Sequence, residues 1–518
     1  MTVLKKLFVI HPELVEAAGH VYTESQAWRR LCQARGIHLR LFGHRDCAAK
    51  VADELGVERV FGLTDEIAGR YMTPAERLAP QPADVLALTD FTLRAECMKA
   101  ACAAAWASEE TPPDLVVFPW VDAALIDGIA GWLADVKPER RPKLLLNFVR
   151  PEPSWAADPS RSTVNGDFGY FRFATRRLRA LTRPSDVALT AVDPRLCRIV
   201  AELALLDCQP TALHQYYPDP APAPVANPDG RVRISFLGPD RVQKGGPLMA
   251  EVIASICRIV PQARVFAQVM TRARADEIAA AVNGVPTNAE IDLHVGSLTT
   301  EAYFRRLAET DVLVQPYQAA AYALMPSGVF ADAAAVGIPV VTPGETWMAD
   351  RLTEGWSAGA IFHQTGAQAV IEALYAALER LPTLQLNAVA SAEAWRKANA
   401  LETFVEQSLP RLGLTLPVAA AKPKPAKAVS SAKARPEPKA KPAKAAAPAA
   451  AATSVAAKAP KAATPKAKGA AKPAPAGTPP KPAAAKTASK APAKAKPQTT
   501  TAAKPPAKPA RRKAAAEG

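Results

Sequence analysis

The sequence lacks the features that mark membrane, secreted and zinc-ribbon proteins. No apolar run reaches about 18 residues, the length that a membrane-spanning helix needs. The N-terminal stretch MTVLKKLFVIHPE has no small-residue site of the kind at which a signal peptide is cleaved. The seven cysteines are odd in number, scattered and never in a C-x-x-C pair, which argues against a disulfide framework or a zinc ribbon. We therefore expect a cytoplasmic protein with reduced cysteines.

Acidic residues are nearly absent from the last fifth of the chain. From Ala421 to Gly518 there are 23 Lys or Arg and two acids, a net charge of +21, whereas the whole chain carries +15 and the preceding 420 residues therefore carry −6. This segment is almost purely Lys, Ala and Pro, and it resembles the tails of linker histones. It has no aromatic residue and cannot bury a core, so we predict that residues 413–518 are disordered.

The residues before this tail alternate between strand-like and helix-like patterns. Strands separated by helices indicate a doubly wound parallel sheet. A Pro-rich linker at 218–230 separates two such series, so we predict an α/β protein with two Rossmann-like domains, 1–217 and 231–412, facing a central cleft. The predicted strands are 7–10, 37–42, 115–118, 144–149 and 186–192 in the first domain, and 233–238, 263–269, 291–296, 311–316, 338–343 and 359–363 in the second.

The stretch Asp311–Pro343 predicts a binding site in the second domain. A short apolar strand is followed by a small-residue loop, which delivers Ser327 and Gly328 to the start of a helix at Val329–Val336. The loop lies at the carboxyl end of the strand, where open α/β sheets bind ligands. Free N–H groups at the helix start, with a glycine that allows close approach, form an anion site suited to phosphate.

In its second domain the chain resembles glycosyltransferases of the GT-B fold, specifically the retaining group called family 4. In that family a strand that ends in Gly-Arg is followed by a Lys-Gly pair. Gly238 and the pair Lys244-Gly245 stand in this register, while Pro239 replaces the arginine and Arg241 lies nearby. The architectural resemblance extends over roughly residues 5–412.

The second family signature is an E-x7-E element ahead of a G-x-P-V-V strand. Gly337 and Pro339 match the start of the strand. Asp332 occupies the second acidic position, and Leu324 replaces the first. A leucine cannot meet sugar hydroxyls as the family carboxylate does, so either the donor sugar is bound differently or sugar transfer has been lost.

The resemblance implies a nucleotide-sugar donor and a role for each matched residue. Lys244 and Arg241 would stabilise the leaving diphosphate, together with N–H groups from Ser327 and Gly328. Asp332 would accept hydrogen bonds from the ribose hydroxyls. The alternatives are a solvated loop lysine, an ordinary N-cap serine and a solvent-facing aspartate. The second domain has no Asp-x-Asp, so we expect no metal and no cofactor, and binding and positioning would account for most of the catalysis.

The first domain contributes two candidates to the cleft. The family often has a histidine after its fourth strand, but LVVFPWVDA offers only Asp122 as an acid–base group there. The alternative for Asp122 is a helix N-cap. Gly19 and His20, in the loop after the first strand, would approach the diphosphate or the acceptor, unless they belong to a plain loop.

The sequence therefore predicts a retaining glycosyltransferase that moves a sugar from a nucleotide sugar to a saccharide, lipid or protein acceptor. A location in the cytoplasm, with peripheral attachment to the inner membrane surface as a further option, fits this activity. One alternative is a binding protein on a degenerate GT-B scaffold, since the expected Arg and Glu are missing. The other is a protein that acts through its tail, which would bind DNA, RNA or anionic lipid without sequence preference.

Overall fold

The computed structural model describes residues 1–17, 19–62, 83–152, 155–158, 163–166, 168–215, 217–218 and 221–418, without the side chains of 83–89, 156–158 and 163–165. These residues belong to one compact unit, Met1–Ala428. The tail predicted at 413–518 lies outside the described residues from 419 onward. No helix in the described ranges combines the length and apolar character needed to cross a bilayer.

The strands of the described chain share two parallel sheets and two short pairs. They are β1 (Thr2–Val3), β2 (Lys6–Ile10), β3 (His38–His44), β4 (Val57–Phe61), β5 (Leu115–Phe118), β6 (Lys143–Phe148), β7 (Trp155–Asp158), β8 (Thr163–Gly166), β9 (Val187–Ala191), β10 (Cys208–Pro210), β11 (Arg233–Phe236), β12 (Arg264–Val269), β13 (Glu290–Val295), β14 (Val312–Val314), β15 (Val340–Pro343), β16 (Gly359–Phe362) and β17 (Leu414–Thr415).

Helices connect these strands and cover both sheets. They are α1 (Gly19–Arg35), α2 (Ala49–Leu55), α3 (Ala83–Ala107), α4 (Ala123–Asp135), α5 (Gly169–Leu181), α6 (Pro194–Ala204), α7 (Met249–Ile259), α8 (Arg272–Val282), α9 (Thr300–Ala308), α10 (Ala319–Tyr322), α11 (Gly328–Val336), α12 (Trp347–Thr353), α13 (Ala367–Glu379), α14 (Leu381–Ala398) and α15 (Leu401–Ser408).

The first domain is built on a parallel sheet in the order β10–β9–β6–β5–β2–β3–β4. All of β5 and the last five residues of β6 are buried, as expected for strands covered by helices on both faces. The sheet contains all five predicted strands. The sequence does not reveal the edge strands β4 and β10, because β4 carries the charges of Glu58 and Arg59 and β10 has only three residues.

The second domain is built on a parallel sheet in the order β13–β12–β11–β14–β15–β16, which contains all six predicted strands. From β11 the chain runs outward to β13 and then returns to β14 on the other side of β11. The first sheet reverses in the same way between β2 and β5. Each reversal is a topological switch point, where doubly wound sheets bind ligands beyond the carboxyl ends of the strands.

The last described elements return to the first domain, although the boundaries predicted from the sequence assign residues up to 412 to the second. Strand β17 pairs with β1, with Thr2 opposite Leu414. In α15, Phe404 is fully buried and packs edge-on against Trp28 at 6.4 Å between ring centroids. The chain therefore crosses between the domains twice, and Gln215 and Ala400 form a parallel bridge between the two crossings.

Candidate functional site

The loop after β11 depends on glycine to bring Lys244 close to the second switch point. Gly245 has a φ of 76° in the left-handed region, and a Cβ there would lie 2.0 Å from the backbone oxygen of Pro316. The loop is thus held against the segment that follows β14. A side chain at Gly238 would approach the Lys244 ammonium to 3.0 Å and Val329, in the first turn of α11, to 3.1 Å. These contacts explain the Lys-Gly pair and place the ammonium beside the helix start.

The electrostatic environment of Lys244 suits an anion. Its Nζ lies 5.6 Å from the centroid of the Tyr317 ring. Burial and, to a lesser extent, the positive charge of Arg241 lower the pKa of Lys244 to about 8, and the negative charge of Asp332 opposes both. Lys244 is half-buried and Arg241 is exposed, and neither forms an ion pair with a carboxylate among the described residues. An incoming phosphate would therefore meet two cations that no described carboxylate engages in an ion pair.

Ser327 is the N-cap of α11, and the first turn of the helix is accessible at Gly328. The hydroxyl oxygen of Ser327 accepts hydrogen bonds from Phe330 N at 3.2 Å and from Gln315 Nε2 at 3.2 Å. Ser327 is therefore an N-cap, a role that is compatible with ligand contact through its backbone. A Cβ on Gly328 would have no neighbour within 4 Å, so space remains in front of the first helical turn.

Asp332 is buried in α11 and does not face solvent. Its carboxylate accepts hydrogen bonds from Gln215 Nε2 at 2.9 Å and from Tyr303 OH at 2.9 Å. Burial raises its pKa to about 7, and the two hydrogen bonds and Lys244 oppose that rise. A ribose hydroxyl would have to share or replace one of the present partners.

Leu324 joins an apolar cluster of the first domain. It is 2% exposed, and together with Ala323 it belongs to the core cluster that contains Phe118 and Phe148. Beside it, Arg195 Nη2 of the first domain donates to the Ala323 carbonyl at 2.8 Å. The position of the family's first carboxylate is thus an apolar contact between the two domains.

Asp122 is the N-cap of α4, as the alternative reading of the sequence holds. Its Oδ1 accepts from Leu125 N at 3.0 Å, and its Oδ2 pairs with Arg94. Both oxygens of this buried carboxylate are engaged, so proton transfer by Asp122 would require one of these contacts to break.

His20 lies in the cleft between the two domains, at the start of α1. Desolvation by the surrounding protein lowers the pKa of His20 below its usual value of 6.5, although part of the residue remains exposed. The positive charges of Lys244, Arg150 and Arg241 lower the pKa further. His20 is thus close to cations from both sides of the cleft.

The sequence analysis predicts no role for three further residues on the first-domain side of the cleft, here called the first-domain wall: Trp120, Arg150 and Glu152. Arg150 follows β6 by two residues, and its guanidinium carbon lies 4.8 Å from the centroid of the Trp120 ring. Burial raises the pKa of Glu152 to about 8, the negative charge of Asp122 contributes to the rise, and a hydrogen bond from the Ala123 backbone opposes it. Their positions just beyond β5 and β6 are the only sequence signal that could have identified them.

The two grooves on the outer faces of the domains are not lined by any of these candidate site residues. A 580 Å³ groove lies between α3, α4 and α5, and a 470 Å³ groove crosses the amino-terminal side of the second sheet. In the latter, Arg233 pairs with Asp311 at 2.8 Å and Arg264 with Glu290 at 3.1 Å. Because those charges are already paired, we place the site at the carboxyl edges of the sheets.

No protein-family model and no curated protein matches this sequence. Among solved structures, the fold is similar to TarM, with a TM-score of 0.53 at 10% identity over 79% of this chain and 98% of that one. It is also similar to a glycosyltransferase from Rickettsia africae ESF-5, with a TM-score of 0.51 at 9% identity over 79% and 98%. A third is sucrose-phosphate synthase from Thermosynechococcus elongatus, with a TM-score of 0.50 at 14% identity over 78% and 97%.

These similarities define the class of the fold. The described chain has the GT-B fold, with two doubly wound α/β domains whose switch points face a common cleft. The fold class predicted from the sequence is confirmed.

Proposed function

We propose that this protein transfers a sugar from a nucleotide-sugar donor to a saccharide, lipid or protein acceptor. The proposal rests chiefly on one observation, the position of the Lys244 ammonium beside Gly238, whose other close neighbour is Val329 in the first turn of α11. A cation and the N-terminus of a helix meet there at a switch point, which is an arrangement suited to a diphosphate. The GT-B fold supports this interpretation.

We call the second-domain side of the cleft the donor wall, and each of its candidate residues has a role in the proposed reaction. Lys244 and Arg241 stabilise the charge that develops on the leaving diphosphate, with N–H groups from Ser327 and Gly328. Asp332 contacts the ribose after giving up one of its present hydrogen bonds. The reaction proceeds with retention and without a divalent ion, so turnover survives a strong chelator. Strict dependence on a divalent ion would show that the phosphate site is misplaced.

A thermal-shift screen tests donor binding most directly. Residues 1–428, the compact unit that contains every described residue, are screened against nucleoside diphosphates and nucleotide sugars. We expect at least one nucleoside diphosphate to stabilise the protein, and the Lys244→Ala variant to lose most of the shift. Lys397→Ala, which removes an exposed lysine of α14, is the matched control. The absence of a shift with every nucleotide would refute donor binding.

A second candidate is a nucleotide-binding protein that no longer transfers sugar. The burial of Leu324 against the first domain favours it, because a carboxylate is absent where the family contacts the donor sugar. The engagement of Asp332 by Gln215 and Tyr303 points the same way. Binding of a nucleotide sugar without release of nucleoside diphosphate, over a panel of acceptors, would favour this candidate.

The tail supplies a third proposed activity, nonspecific binding to polyanions such as DNA, RNA or anionic lipid. Its +21 charge and lack of aromatic residues support electrostatic binding without base stacking. The same charge is compatible with peripheral attachment to an anionic membrane surface. The isolated segment 419–518 is expected to bind duplexes of unrelated sequence equally well and to release them as salt rises. A preference for one sequence would contradict this proposal, and equal duplex affinity of residues 1–418 and the full-length protein would show that the tail is not responsible.

A further inference from the structure

Arg150 is a half-buried cation on the first-domain wall that the proposed donor site does not use. It stands two residues beyond β6, and Trp120 stands two residues beyond the neighbouring strand β5. The carboxyl ends of these parallel strands lie at the same edge, next to the first switch point. The guanidinium carbon lies 4.8 Å from the indole centroid. Stacking on an aromatic ring orients the planar guanidinium and leaves its N–H groups available to an oxyanion.

The charge of Arg150 has no described partner. No carboxylate among the described residues forms an ion pair with it. Asp122, the acid at the start of α4, is engaged by Arg94 and by Leu125 N. Glu152 lies within electrostatic range of Arg150, which favours its ionised form, but burial and the negative charge of Asp122 outweigh this and raise its pKa to about 8. The positive charge of Arg150 is therefore uncompensated in a partly desolvated position, which favours occupation by an anion.

His20 connects this position to the proposed donor site. It is exposed at the start of α1, beyond strand β2, which neighbours β5. Its pKa is lowered by Arg150 of the first domain and by Lys244 and Arg241 of the second, so all three cations lie within electrostatic range of one ring. Lys244 and Arg241 belong to the donor wall, whereas Arg150 belongs to the opposite wall, which in the proposed reaction receives the acceptor.

We infer that Arg150, stacked on Trp120, binds an anionic group of the acceptor, either a phosphate or a carboxylate. This inference rests on the proposed function, since it assigns the substrate class of the same cleft. A neutral saccharide would leave the half-buried guanidinium without a charged acceptor, and a desolvated polar group without a partner opposes binding. An acceptor bearing an anion forms charge-assisted hydrogen bonds with the same group.

Calorimetric titration of the full-length protein, saturated with the nucleoside diphosphate that stabilises it best, tests the inference. The probes are glucose 6-phosphate, glucuronate, farnesyl phosphate and glucose, in about 150 mM salt to screen exposed charges. The first two carry the anion on a sugar and the third carries it on a lipid. The variants are Arg150→Gln and Arg150→Lys. Arg172→Gln, which removes an exposed arginine of α5 in the same domain, is the control. All variants keep the basic tail, so its contribution cancels.

We expect at least one anionic probe to bind about tenfold or more tightly than glucose, and Arg150→Gln to remove that advantage. Arg150→Lys is expected to restore part of it, and Arg172→Gln to leave it unchanged. Equal binding of glucose and all anionic probes, or an unaltered preference in Arg150→Gln, overturns the inference. Nucleoside diphosphate affinity is measured separately for every variant. If nucleotides fail to stabilise the wild-type protein while Arg150→Gln still abolishes binding of an anionic probe without added nucleotide, the proposed function fails but the anion site stands.

Discussion

The two walls of the cleft form their sites by different means. On the proposed donor wall, backbone conformation positions the site: Gly245 lies against Pro316, and the N-capped helix α11 begins near Gly238 and Lys244. On the acceptor wall, isolated side chains follow separate strands and meet only because the sheet order makes those strands neighbours. Arg150 and Trp120 are the example, 30 residues apart in sequence. Sites of the first kind leave a local pattern in the sequence, whereas sites of the second kind depend on topology.

The largest expected effect concerns the backbone of the donor wall. Gly245→Ala combines a left-handed φ of 76° with a 2.0 Å contact to the Pro316 oxygen. We expect the free energy of unfolding to fall by roughly 3–5 kcal/mol, as strain and overpacking add. Gly284→Ala is the matched control, because Gly284 has a φ of 87° but no atom within 4 Å of the position that a Cβ would take. That variant should lose only about 1–2 kcal/mol in denaturant titrations. Equal losses would show that the loop does not press on Pro316.

The next effect concerns the cation of the donor wall. Lys244→Ala is expected to weaken nucleoside diphosphate binding by about 1.5–3 kcal/mol, the scale for hydrogen bonds to charged groups. Calorimetric titration measures it. Arg150→Gln should leave the same affinity nearly unchanged, because Arg150 lies on the other wall. If Arg150→Gln weakened nucleotide binding as much as Lys244→Ala, the two walls would form one site rather than two.

The pH dependence of ligand binding is expected to arise from a different titrating group on each side of the cleft. Lys244, with a pKa of about 8, loses its positive charge above that pH, so nucleotide affinity is expected to fall, by at most about tenfold per pH unit. Glu152 gains a negative charge in the same range and neutralises Arg150, so affinity for the anionic acceptor probe falls too. Asp122, Arg94 and Arg150 are the charged groups that face Glu152.

Two variants distinguish these titrations. Lys244→Arg should remove the pH dependence of nucleotide binding, and Glu152→Gln should remove that of the acceptor probe. Each substitution should leave the pH profile of the other ligand in place. If Glu152→Gln altered the nucleotide profile instead, Glu152 would belong to the donor wall.

The last prediction concerns Asp332, which connects the donor wall to the domain crossing through Gln215. Its pKa in the folded protein, about 7, lies above the usual value of 3.8, so between these pH values the folded state holds a proton that the unfolded state releases. The contribution of Asp332 to stability is therefore full below pH 3.8 and declines as pH rises to 7. Asp332→Asn should flatten the pH dependence of the unfolding free energy in this window. An unchanged slope would show that Asp332 is ionised in the folded protein.

The sequence predicts the strands better than it predicts the site. Buried parallel strands such as LVVF at 115–118 are continuous apolar runs, so their pattern is local and visible. Strand β4 contains the adjacent charged residues Glu58 and Arg59 and lies at the sheet edge, so its identity depends on pairing with β3. The domain boundary near 400 is likewise invisible, because α14 and α15 have similar helical patterns but pack on different sheets.

The candidate site could likewise be predicted only in part from the sequence. The Lys-Gly pair and the capped helix could be predicted because each is a local motif with a backbone requirement. Asp122 could equally be a cap or an acid from its sequence alone, and only its contacts with Leu125 N and Arg94 distinguish the two. The raised pKa of Glu152 depends on burial and on Asp122, 30 residues away, which no local pattern records.

The double crossing between the domains has a consequence for the order of folding during synthesis. The second domain is a continuous insertion, and its two ends meet where Gln215 pairs with Ala400. The first domain, by contrast, needs Phe404 and Leu414 to complete the core cluster that contains Trp28. Since the ribosome releases these residues after the whole second sheet, the domain that begins first is the one that must be completed last.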